Sequence, residues 1–255
     1  MKEYKGIYGN AVDYSVYRLN PGEMVFGAAL GYVAGMVVFQ MFFGVWIVSA
    51  VLSVAGAAAG VMLLASSLKK QRQKTLLLQF SDMLEALSTS FDAGRNTPGA
   101  FGDAYQDMLG QYGKDGYIVR ELDIIRRGMN NNDTGIEVLL QDFAKRSASE
   151  DIENFADVFT VANRAGANLQ KVIAETKNVI VDKINIEMEL TEMISGNKNE
   201  LNIMILMPLV VLFAMQGMNA TAGGTTPAVI LCRAAALAAF VFAYWLGRKM
   251  VQIKV

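Results

Sequence analysis

The stretch that decides the fold is residues 24–68, MVFGAALGYVAGMVVFQMFFGVWIVSAVLSVAGAAAGVMLLASSL. Between Glu23 and Lys69 it holds no Asp, Glu, Lys or Arg, and Gln40 is its only strongly polar side chain. One membrane-spanning helix needs about 20 mostly apolar residues, so the run has room for two. A break near Gln40–Gly44 separates them, and Lys69, Lys70, Arg72 and Lys74 close the second. The stretch reads as a transmembrane hairpin rather than a buried hairpin of a soluble core, where so long a charge-free run is rare.

The two halves carry small residues at helical spacing. Gly27, Gly31 and Gly35 recur every fourth residue in the first span, about 24–43. Ser49, Ser53 and Ala57, with Gly56 and Gly60 one step round, do so in the second, about 45–68. Such spacing puts the missing side chains on one face, where two backbones can approach closely within lipid. The glycines are therefore candidate helix-packing positions, either within the hairpin or against another subunit.

Residues 1–23 form a polar lead with Tyr4, Tyr8, Tyr14 and Tyr17, closed by Asn20-Pro21-Gly22. Tyrosines before a span often sit at headgroup level; the other reading is a disordered tail. The first apolar run is too long for the h-region of a signal peptide, so no cleavable signal is expected.

From Lys69 to Glu200 the character changes. The segment holds 16 Lys and Arg against 21 Asp and Glu, a net charge of −5, and its apolar residues follow a helical period. Leu76, Phe80, Met83, Leu84, Leu87 and Phe91 mark a first amphipathic helix, ended by Gly94. Thr97-Pro98 reads as N-cap and first-turn proline of a second, with Phe101, Tyr105, Met108 and Leu109 on one side. Gly110–Gly116 is a turn, and Ile118, Leu122, Ile125 and Met129 mark a third helix stopped by Asn130-Asn131-Asn132. Thr134-x-x-Glu137 reads as a capping box before Ile136, Leu139, Leu140 and Phe143. A fifth helix carries Ile152, Phe155 and Phe159 up to Gly166, and Asn168 caps a long sixth that reaches Ile194. Six helices with almost no strand signal predict a soluble helical bundle over 69–200.

A third span over about 201–219, kinked at Pro208, and a fourth over about 228–247 follow, joined by the Gly- and Thr-rich turn 219–227. Arg233 near the start of the fourth span can snorkel to the headgroups. Basic residues cluster at 69–74 and in the tail 248–255, with Lys2, Lys5 and Arg18 in the lead, while the hairpin tips carry none. By the positive-inside rule both ends and the bundle are expected in the cytoplasm. The fold class expected is all-α: a multi-pass membrane protein with two transmembrane hairpins, 24–68 and 201–247, flanking a cytoplasmic six-helix bundle.

Composition narrows the function. The chain has no histidine and one cysteine, Cys232, which excludes His-dependent triads, most zinc sites and an intramolecular disulfide. Gly110-Gln-Tyr-Gly113-Lys114 has the wrong spacing for a phosphate loop. Neither catalytic, cofactor nor metal-binding residues are expected, and a net charge of −1 with a mean hydropathy of +0.29 suggests lipid rather than nucleic acid as a partner. Arg95, Arg126 and Arg127, basic groups near helix ends in an acidic domain, are candidate partner-binding residues.

Phe80-Ser-Asp82-Met-Leu84-Glu85-Ala-Leu87, Ala93-Gly94 and Pro98-Gly-Ala-Phe101 resemble the opening of the type II secretion system F domain. Ser149-Glu150-Asp151 before Phe155-Ala-Asp157-Val-Phe159, and Arg164-Ala-Gly166-Ala-Asn168-Leu169 before a long helix, resemble its second half. The likeness covers about residues 75–215, and the flanking hairpins are similar to those of the tight-adherence (Tad/Flp) pilus subfamily. The resemblance implies an inner-membrane platform protein that catalyses no chemistry. Such a protein contacts a cytoplasmic assembly ATPase and helps pass pilin subunits from membrane to fibre. Relatives often carry two F domains, whereas this chain has one, so pairing with a sister platform protein or with itself is expected. The rival readings are a membrane enzyme and a transporter.

Overall fold

The computed structural model describes residues 6–7, 11–43, 46–131 and 134–217, with isolated positions beyond. Among the described residues there are seven α-helices and no strand: α1 (Pro21–Phe43), α2 (Trp46–Asp92), α3 (Thr97–Tyr112), α4 (Tyr117–Asn131), α5 (Ile136–Ser147), α6 (Glu150–Ala165) and α7 (Leu169–Gly217). The fourth span, with Arg233, and the tail 248–255 lie outside the described residues apart from Ala235, Phe242 and Leu246.

The basic group at 69–74 does not end a helix. α2 continues through it to Asp92, because Lys, Arg and Gln are good helix formers and nothing there breaks the backbone pattern. Likewise α7 passes through Asn197–Glu200 and past Pro208 to Gly217. The chain divides into two compact units, Met1–Arg18 with Ser66–Ile186 and Leu19–Ala65 with Glu187–Val255. Helices α2 and α7 each contribute to both.

The first unit is built on a core of aromatic and aliphatic side chains. Phe80 of α2 lies edge-on to Phe155 of α6, with ring centroids 5.3 Å apart, and Phe101 of α3 meets Phe159 of α6 in the same way at 6.1 Å. Leu76, Leu84, Leu87, Ile118, Leu122, Leu140, Phe143 and Ile173 complete it, all at most 1% exposed. These are the i, i+3, i+4 positions of the amphipathic pattern.

Local signals set the helix ends, some one residue away from expectation. Asn96, not Thr97, is the N-cap of α3: its side chain accepts a 3.0 Å hydrogen bond from the Gly99 N–H, and Pro98 follows in the first turn. The capping box expected at Thr134 does not form. Gly135 is the N-cap of α5, and Glu137 instead accepts from Asn163 of α6 at 2.7 Å. Gly110 lies inside α3, which ends at Gly113 with φ +66°. Gly166 closes α6 in the left-handed region that suits glycine, and Asn168 accepts from the Lys171 N–H at the start of α7.

Where it is described, the N-terminal lead packs on the first unit instead of hanging free. Tyr14 is fully buried in the core of the first unit and Asp13 is 7% exposed. Tyr4 and Tyr8 lie outside the described residues.

Candidate functional site

Two features of the molecule are built with side chains that neither propensity nor core packing demands. The first is the hairpin of α1 and α2. Its inside is small and its outside large: Ser49 and Ser53 are fully buried, while Val25, Phe26, Trp46, Ile47 and Met62 are 62–77% exposed. A water-soluble hairpin would show the opposite arrangement. A Cβ added to Gly56 would lie 2.7 Å from the Gly31 carbonyl oxygen, and one on Gly60 would lie 2.5 Å from that of Gly27. On Gly31 it would overlap the Gly56 carbonyl oxygen, and on Gly35 it would meet Ser53 at 3.3 Å. The structure thus places all five glycines at the α1–α2 contact, and at Gly31, Gly56 and Gly60 any larger residue would push the backbones apart. Among the described residues, two helices are long and apolar enough to cross a membrane: α1 over Pro21–Gln40 and the apolar part of α2. Only 6% and 11% of their apolar windows are buried, which sets them apart from core helices of a soluble protein.

The second feature is an ionic cluster inside the bundle. Arg146 of α5 and Glu121 of α4 are each 1% exposed at the side chain and pair at 2.6 Å, and Asp142, one turn before Arg146, accepts from its Nε at 2.8 Å. The N-terminal segment closes over this cluster. The Tyr14 hydroxyl donates to Glu121 Oε1 at 2.9 Å, and its N–H donates to the Arg146 carbonyl at 2.8 Å. Arg146 Nη1 donates to the Val12 carbonyl at 3.1 Å, and the Ile7 N–H donates to Asp142 Oδ1 at 3.0 Å. The Arg72 guanidinium of α2 lies 4.7 Å from the centre of the Tyr14 ring and 5.5 Å from that of Tyr117, which is cation–π range.

Charge states follow from this geometry. Burial pushes the Glu121 carboxyl above its ordinary value, and the Arg146 guanidinium and the Tyr14 hydroxyl pull against that. Arg146 and Tyr14 aim their donors at both Glu121 oxygens, which suits the carboxylate. Burial alone would lower Arg146, but the hydrogen bonds and charges of Glu121 and Asp142 hold it above its ordinary value. Burial also raises the Tyr14 hydroxyl, with the Glu121 charge adding to it. The cluster fastens the N-terminal segment, α4 and α5 to one another.

The candidate partner-binding arginines are already engaged. Arg126 and Arg127 share Asp123, Arg126 at 3.1 Å, and Arg126 also lies 4.9 Å over the Tyr105 ring of α3. Arg95 pairs separately with Asp103 at 3.1 Å. Side-chain exposures of 61%, 39% and 68% for Arg95, Arg126 and Arg127 leave them reachable from solvent.

Sequence reasoning passed over Tyr14, Arg72, Glu121, Asp142 and Arg146. A signal was present: Glu121 interrupts the apolar stripe of Ile118, Leu122 and Ile125, and Arg146 stands one turn after Phe143 on the buried face of α5. Opposite charges on the core faces of consecutive helices announce a buried pair. Compared with protein-family models, curated proteins and solved structures, the chain matches none.

Proposed function

We propose that this protein is a multi-pass membrane platform for a pilus or secretion machine of the type II secretion F-domain kind. It holds an all-helical bundle in the cytoplasm and transmits motion from an assembly ATPase to pilin subunits. It performs no chemistry of its own. The observation that carries this reading is the pairing of a hairpin apolar on its outside with a charged, well-packed helical bundle, in one chain whose motif order resembles that family. The bundle supports the reading further by offering charged surfaces around a tightly packed core.

In this reading the second hairpin, 201–247, mirrors the first, and the ends and the bundle lie on the cytoplasmic side with Arg95, Arg126 and Arg127 facing the motor. A second copy or a sister subunit supplies the second bundle. The test is a pull-down from solubilised membranes with the protein tagged. A secretion-type ATPase that co-purifies, and is lost when residues 69–200 are replaced by an unrelated helical bundle, supports the platform. Recovery of the protein free of any such ATPase in cells that are assembling the fibre removes it.

A further inference from the structure

The segment of residues 6–7 and 11–18 is fastened to the bundle by the Tyr14 side chain and by hydrogen bonds to an ionic cluster whose members also bond one another. Arg146 keeps two hydrogen bonds to Glu121, which join α5 to α4, and one to Asp142 within α5. The segment adds the Tyr14 hydroxyl on Glu121, the Tyr14 N–H on the Arg146 carbonyl, the Val12 carbonyl on Arg146 and the Ile7 N–H on Asp142. Within the α4–α5 cluster, removing it strands no charge. Glu121, Asp142 and Arg146 stay paired with one another and gain water where the segment lay. Breaking a buried ionic cluster is costly when one partner is left alone in the interior, and here the fastening can open without that cost.

The grip is also concentrated. Tyr14 is the one large side chain at zero exposure among the described residues of the segment; Ala11, Val12 and Tyr17 are half-buried. The segment ends where the first unit ends, at Arg18, and α1 begins at Pro21. The segment is thus continuous in sequence with the chain that enters the first apolar helix.

We propose that residues 6–7 and 11–18 belong to a releasable latch: they leave their seat on α2, α4 and α5 together while the bundle stays folded, freeing the chain that leads into α1. The inference stands on the contacts above and does not depend on the platform reading. Opening of a single segment below the free energy of global unfolding is ordinary behaviour for elements held by few buried side chains.

Hydrogen exchange followed by mass spectrometry, on the full chain in nanodiscs, tests it. Peptides covering residues 11–18 are expected to exchange much faster than peptides from α4 and α5 in the wild type. Tyr14→Phe keeps the ring and removes the hydroxyl. It is expected to speed exchange of the segment by about 10- to 100-fold, the worth of one hydrogen bond to a charged group, without changing α4 or α5. Tyr14→Ala is expected to abolish protection of the segment while α4 and α5 remain protected. If the segment exchanges in step with α4 and α5 in the wild type and in Tyr14→Phe, it is part of one cooperative core and the latch is wrong. Loss of α4 and α5 protection in Tyr14→Ala, with Tyr14→Phe unchanged from wild type, overturns it equally.

Discussion

The Arg146 guanidinium meets the Glu121 carboxylate through two hydrogen bonds, Nη1 to Oε1 at 2.8 Å and Nη2 to Oε2 at 2.6 Å, joining α5 to α4 inside the bundle. This bidentate geometry is the strong form of an ion pair, and both side chains are shut away from water. Arg146→Met leaves Glu121 and Asp142 as two buried carboxylates with no cation between them. It is expected to destabilise the bundle by about 3–5 kcal/mol. Replacing the whole set, R146M with E121L and D142N, removes the charges together and is expected to recover most of that loss. Thermal unfolding followed by circular dichroism compares the two.

Gly31 and Val33 lie on opposite sides of α1. Gly31 faces Gly56, whereas Val33 is 60% exposed. Gly31→Leu is expected to force α1 from α2 and lower hairpin stability by at least the roughly 1–3 kcal/mol typical of overpacking. Val33→Leu is expected to be neutral. Resistance to proteolysis in detergent or nanodiscs reads the difference, and equal tolerance of both would remove the glycine face as a packing surface.

Glu137 gives the bundle an acid-sensitive link between α5 and α6. The hydrogen bond from Asn163 and one from its own backbone hold its carboxyl below the ordinary value of 4.5. A carboxyl lowered in the folded state stabilises above its unfolded value, and that contribution fades as pH falls through the folded one. Stability is therefore expected to drop below about pH 4.5 with a component that Glu137→Gln abolishes. Denaturant titrations of both proteins between neutral pH and acid check this, and an identical acid slope would contradict it.

Arg126 and Arg127 are a test of docking. Reversing both, R126E with R127E, sets two glutamates beside Asp123 and inverts the charge at this end of α4. If a motor binds here by charge complementarity, association is expected to slow and the complex to become less salt-sensitive. Co-purification with the motor that is unchanged by the reversal would take these residues out of the contact.

How much of this was legible in the sequence follows from the range of the forces involved. The apolar stripes from Leu76 to Ile180 are local, repeating patterns, and the described core uses those residues. Helix ends depend on which of two adjacent polar residues wins the cap, so Asn96 displaced Thr97 and Gly135 displaced Thr134. The basic group after Leu68 looked like a boundary because charge changes there, yet helical propensity does not, and α2 runs on. Tyr14 was illegible for another reason. Its partners Glu121 and Arg146 lie more than a hundred residues away in sequence, and only the assembled bundle brings them to it.

The central claim, a membrane platform with its bundle in the cytoplasm, is tested most directly by cysteine accessibility. Cys232 is the one native thiol, so a Cys232→Ser background accepts single cysteines at Thr221, in the turn between the proposed third and fourth spans, or at Lys114, in the bundle. A membrane-impermeant maleimide applied to intact cells or spheroplasts is expected to label position 221 and spare 114 until the membrane is opened. Labelling at 114 with 221 protected would contradict the orientation, and labelling of neither or both, before and after lysis alike, would contradict the membrane topology itself.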